Sequence, residues 1–149
     1  MKLAIVVGLA LVISFASMAM PTSAVPEEGQ YFHVTQMVVE FDRTDAMVTI
    51  SYDLDFFAEI YAFILGSRNL EPTFEQIFSD FDDVTVTEIG RNHAVIVLTD
   101  ISRQNGDYYL HDQHRLGIMV DSLRLVYPDG SSKNIQNTNT TPDTFFKQV

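Results

Sequence analysis

From Val48 to Phe56 every second residue is large and apolar (Val48, Ile50, Tyr52, Leu54, Phe56), while Thr49, Ser51, Asp53 and Asp55 fill the alternate positions. A repeat of two puts these sets on opposite faces of an extended chain, so Met47 to Phe56 reads as a strand with one face in a core and the other in water. That feature commits the chain to a sheet, and to a layer that covers the sheet's apolar side. Upstream, Tyr31 to Phe41 is rich in Val, Phe, Tyr and Thr, and the polar cluster Asp42-Arg43-Thr44-Asp45 joins the two runs as a hairpin with a loop of about four residues.

The period then changes. Phe56 to Leu65 is apolar except at Glu59 and stops at Gly66-Ser67, the pattern of a buried helix. Its lone carboxyl is expected to point outward or to meet Arg68, Arg91 or Arg124. Phe74, Ile77, Phe78 and Phe81 follow at helical spacing, with Pro72 and the pair Thr73 and Gln76 forming a start signal before them.

Strand patterns return and persist. Val84 to Ile89 and His93 to Thr99 flank Gly90-Arg91-Asn92 as a second hairpin, and the unbroken apolar stretch Ala94 to Leu98 suggests a central strand covered on both faces. Gln104-Asn105-Gly106-Asp107 marks a turn before Tyr108 to Leu116 and Ile118 to Tyr127, and Pro128-Asp129-Gly130 turns the chain into a short strand around Lys133 to Gln136. Residues 137–149 read as a polar tail ending in Phe145-Phe146, which either docks another protein or tucks back onto the sheet; tucking back is preferred. The expected class is α+β: an antiparallel sheet of about six to seven strands in the order ββ-αα-βββββ, with two consecutive helices on one face. A β-sandwich with a helical insertion is the alternative.

Residues 1–24 have another purpose. Lys2 precedes an apolar run from Leu3 to Phe15, and Ser17-Met18-Ala19 and Thr22-Ser23-Ala24 offer small residues at signal-peptidase spacing, so cleavage is expected after Ala24, or after Ala19. Retained, residues 3–20 would be an N-terminal membrane anchor, the chain's only contact with a membrane. Either way residues 25–149 form a single extracytoplasmic domain, secreted or anchored, because Lys2 stays inside and Glu27-Glu28 lead outward. There is no lipid-bearing cysteine, and no cysteine at all, which removes disulfides, thiolate nucleophiles and thiolate metal sites.

Twenty acidic residues against nine Lys and Arg give a formal charge of −11, one unit more negative once Lys2 leaves with the leader. Such a field repels phosphate backbones, so no nucleic-acid partner is expected. The strongest chemical segment is His111-Asp112-Gln113-His114, since imidazole and carboxylate bind zinc or copper. In a strand, however, His111 and His114 point apart, which leaves only Asp112 and His114 on a common side. Asp53, Asp55, Asp80, Asp82 and Asp83 fall in no calcium loop and read as solvated carboxylates. Phosphate-cradling, nucleophile-elbow, dinucleotide and zincin motifs are all missing, so no catalytic residue and no cofactor is assigned. Asn139-Thr140-Thr141 is a glycan-acceptor sequon. The preferred function is a non-enzymatic module binding a protein or surface polymer of the cell envelope. The alternative is a metal-binding envelope protein or metal-dependent enzyme using His111, Asp112 and His114.

Overall fold

The computed structural model describes residues 32–55, 58–60, 63 and 66–148. The leader, its cleavage positions and the anchor segment lie outside these residues, as do Phe56, Phe57, Tyr61, Ala62, Ile64 and Leu65 of the first expected helix. Among the described residues no helix is long and apolar enough to cross a membrane.

The protein is mostly β-structure, in two sheets with little helix. Strands β1 (Phe32–Asp42), β2 (Asp45–Leu54), β3 (Asp83–Ile89), β4 (His93–Thr99), β7 (Arg115–Val126) and β8 (Ser132–Thr140) make a six-stranded sheet in the order β3-β4-β2-β1-β7-β8. Strands β5 (Ser102–Asn105), β6 (Tyr108–His111) and β9 (Thr144–Lys147) make a second sheet in the order β5-β6-β9. Between β2 and β3 lie the helical residues 58–60 and 63, a 3-10 turn Ser67–Leu70 and the helix α1 (Glu71–Ile77).

The alternation in β2 does what its period requires: Ala46, Val48, Ile50 and Tyr52 are all buried. Both strands of the first hairpin run further than expected, to Asp42 and Asp45, so the loop is two residues, with Arg43 in the left-handed region at φ 57°. Two differences are larger. The main sheet is not wholly antiparallel, because β1 pairs with β7 in parallel, Val34 opposite Val120 and Val39 opposite Leu125. Parallel neighbours need a long connection, and the intervening excursion through five strands and the helical segment supplies it. The late strands also number seven rather than five. β5 and β9 had no apolar run to announce them, and β8 continues through Asn137 to Thr140, where composition suggested a tail.

The inner face of the main sheet is covered at its two ends by different elements. At one end Phe74 of α1 meets Phe32 edge-on at 5.5 Å and Tyr52 at 5.6 Å. At the other end Phe41 takes the small sheet, with Phe146 at 4.8 Å and His111 at 5.2 Å between ring centres. The stripe Phe74, Ile77, Phe78 and Phe81 is buried as expected. The helix carrying it is shorter, ending at Ile77, and Phe81 reaches the core from the turn that follows. Nor does Thr73 cap it; the N-cap is Leu70, without a side-chain bond, and Pro72 sits in the first turn. Gly117 of β7 lets the sheet approach α1, since a Cβ there would stand 2.7 Å from the Gln76 carbonyl oxygen.

The helix expected over Phe56 to Leu65 is not buried where it is described: Ile60 is 42% and Phe63 83% exposed, and Glu59 faces solvent. Asp55 begins it rather than continuing the polar face of β2. Its Oδ1 accepts the Ala58 N–H at 2.8 Å and its carbonyl the Glu59 N–H at 2.9 Å, satisfying donors that a helix start leaves free.

Candidate functional site

The small sheet is four residues deep and two-sided. Paired positions bring Ser102, His111 and Thr144 into one row, and Gln104, Tyr109 and Phe146 into the next, on the face toward Phe41. The opposite face carries Arg103, Leu110 and Phe145 in one row and Asn105, Tyr108 and Lys147 in the other. Strand alternation therefore splits the adjacent phenylalanines: Phe146 is 5% exposed and Phe145 70%. Phe146 tucks back, stacked on Tyr109 at 5.7 Å, while Phe145 stands outside, its ring edge-on to Tyr108 at 6.3 Å.

Asn105, Tyr108, Leu110 and Phe145 line a shallow depression of about 370 Å³. Two ion pairs flank it: Arg103 Nη2 to the Asp112 carboxylate at 2.8 and 3.0 Å, and Lys147 Nζ to Asp107 Oδ2 at 3.7 Å. All four side chains of these pairs are largely exposed. An apolar, aromatic centre with a charged rim is the anatomy of a recognition surface: the centre gives up water on contact and the rim sets orientation. A two-residue turn with Gly106 at φ 63° keeps β5 and β6 in register beneath it.

The segment His111-Asp112-Gln113-His114 is structural in its contacts. β6 ends at His111, so the strand geometry that would separate the two histidines stops there, and their rings lie 5.3 Å apart. His111 is buried, donating Nδ1–H to the Ile101 carbonyl at 3.0 Å and accepting the Thr141 hydroxyl on Nε2 at 3.0 Å. Burial holds its pKa below the ordinary imidazole value, with the His114 charge adding to this and the Ile101 bond and Asp112 and Asp143 opposing it. Thr141 also accepts the His114 N–H at 3.0 Å, while His114 stacks on Phe81 at 4.4 Å and donates Nδ1–H to the Asp80 carbonyl at 3.1 Å. Asp112 turns away to Arg103. Among the described residues no three His, Asp or Glu side chains gather as a metal-binding set.

The remaining candidates are dispersed. Asp80 holds the Arg115 N–H at 2.7 Å and Asp53 is exposed on β2. Asn139 is exposed on the edge strand β8, but the hydroxyl of Thr141, the third residue of its sequon, is buried in the histidine junction. Ala24 lies outside the described residues. Sequence reasoning had missed Tyr108, Leu110, Arg103, Asn105 and Lys147. The only local signal for them was the alternation in Tyr108–His111, since the surface exists only once β9 pairs with β6. Comparison of the chain with protein families, with curated proteins and with solved structures finds no match.

Proposed function

We propose that this protein is a non-enzymatic, extracytoplasmic binding module that recognises a protein or surface polymer of the envelope through the outer face of its small sheet. The observation that carries this reading is Phe145: a large ring, 70% exposed, fixed on a paired strand beside Tyr108. Large aromatic rings held rigidly at a surface lose little conformational freedom on contact and remove much apolar area from water, which is why they anchor interfaces. The charged rim supports the same reading, because its ion pairs can exchange partners at the edge of a contact without leaving a buried charge.

The experiment is a pull-down from envelope extract with the wild-type protein, Phe145→Ala, and Thr85→Ala, a substitution on the exposed edge strand of the main sheet. Wild type and Thr85→Ala should retain the same partner and Phe145→Ala should lose it. An extract that yields no partner, or one retained equally by all three proteins, overturns the proposal.

A further inference from the structure

A second concavity lies at the opposite kind of surface, beside the helical segment. A cleft of about 650 Å³ opens between the end of β2, residues Glu59, Ile60 and Phe63, the 3-10 turn and the β3–β4 turn. Its apolar walls are Leu54, Ile60, Phe63, Leu70 and Ile89. That size falls in the ~300–1,000 Å³ of small-ligand sites, and the mainly apolar wall with few polar groups is also characteristic of them. Ile60 and Phe63 leave their side chains substantially exposed there, a cost in water that a bound hydrocarbon would remove.

The polar groups on the lining indicate what kind of hydrocarbon. Arg91 stands on the wall with no carboxylate within ion-pair reach among the described residues, and it is the one cation among the described residues of the lining. A carboxylate seated on this apolar wall would therefore find its partner there. Glu59 shares the lining and is likewise unpaired among the described residues. An anion there would be drawn to Arg91 and repelled by Glu59, so the two side chains give opposite signs to one test.

We infer that this cleft is a binding site for a single-chain anionic amphiphile of the fatty-acid class, with the tail against Phe63, Ile60 and Leu70 and the carboxylate at Arg91. The site is separate from the Phe145 face and does not depend on it.

Calorimetric titration of the exported protein with laurate, and with dodecyltrimethylammonium as the same tail bearing the opposite charge, tests it. Laurate should bind saturably at one site and the cationic amphiphile should not. Arg91→Glu should weaken laurate by roughly tenfold or more, the scale of a lost charge-assisted bond. Glu59→Gln should strengthen it. Phe63→Asp should abolish it without unfolding the protein, because Phe63 is 83% exposed. Phe145→Ala should bind laurate like the wild type, so failure here and failure of the envelope-binding proposal are distinguishable. Equal binding of both amphiphiles, indifference to Arg91→Glu, or capture by anionic phospholipid vesicles without uptake of monomeric laurate would overturn the inference.

Discussion

The two sheets turn different chemistry to the outside. On the main sheet, pairing places Thr85, Val97, Met47, Glu40, Val126 and Ser132 in one outward row, and Glu88, Val95, Thr49, Val38, Arg124 and Asn134 in the next. None of these is fully buried, and the mixture of β-branched, hydroxyl and charged residues is what a water-facing sheet carries to keep its strands extended and its surface soluble. The small sheet has two outward rows as well, but places Tyr108, Leu110 and Phe145 in them. Both sheets obey the same period of two. The difference is that one outer face meets the needs of solvation and the other exceeds them, and that excess apolar area is what the proposed binding face would offer a partner.

If that contrast is right, the inner and outer residues of the small sheet must separate stability from binding. Phe146→Ala should show the largest effect. It removes the ring packed on Phe41, Tyr109 and Tyr127, and a buried Phe→Ala change costs about 3–5 kcal/mol. Urea unfolding followed by circular dichroism should give a markedly lower midpoint; a loss under about 1 kcal/mol would mean the small sheet is not part of the core.

A counterpart on the main sheet is Gly117→Ala. The added methyl would meet the Gln76 carbonyl at 2.7 Å, backbone that cannot swing aside, so a loss of about 1–3 kcal/mol is expected as β7 and α1 are pushed apart. Hydrogen exchange should quicken at Phe74 and Ile77 and stay unchanged at Tyr109 and Phe146. Faster exchange in both places would show that the two coverings of the inner face do not act independently.

Acid distinguishes the same two regions. Because burial depresses the pKa of His111, the unfolded chain binds a proton more readily than the folded one. Stability from this group is therefore complete above about pH 6.5 and falls, by at most about 1.4 kcal/mol per pH unit, as pH drops below it until the folded His111 itself takes the proton. His111→Gln, which cannot titrate, should flatten the slope that opens below about pH 6.5, ahead of the carboxylates. The amides of β5, β6 and β9 should lose protection first, because Thr141 and Ile101 are the partners of His111; uniform loss across both sheets would contradict a separable small sheet.

The main sheet's core was far more legible in the chain than the small sheet's surface, for physical reasons. The alternation through Val48, Ile50 and Tyr52 is local, and local period decides which side chains face in. Phe74, Ile77, Phe78 and Phe81 were likewise read correctly as a buried stripe, yet spacing alone did not show that the helix stops at Ile77 and a turn carries Phe81 inward. Ala94 to Leu98 suggested a strand covered on both sides. Val95 and Val97 instead face outward, half-exposed, because β-branched residues suit an open sheet face as well as a core. The parallel pairing of β1 with β7 is set by strands some eighty residues apart and leaves no local mark. Asn137 at φ 51° bends β8 without ending it, so a composition typical of loops continues as strand. The candidate site depends on β9 finding β6 across about 35 residues, and only the inward preference of the Phe145-Phe146 pair was visible, correct for Phe146 and wrong for Phe145.

The smallest expected change in stability is the most informative for function. Phe145 touches Tyr108 at its edge and otherwise faces water, so Phe145→Ala should alter unfolding free energy by no more than about 0.5 kcal/mol. Its neighbour one residue on should cost several times more. Under the proposed function the exposed ring acts in contact rather than in folding; the same variant should therefore lose envelope partner binding while its melting curve overlays the wild type. Leu110→Ala and Tyr108→Ala should weaken binding less than Phe145→Ala, because both rise less from the sheet. If Phe145→Ala unfolds as readily as Phe146→Ala, then the outer ring serves the fold, and the difference between the two faces of the small sheet is one of packing alone.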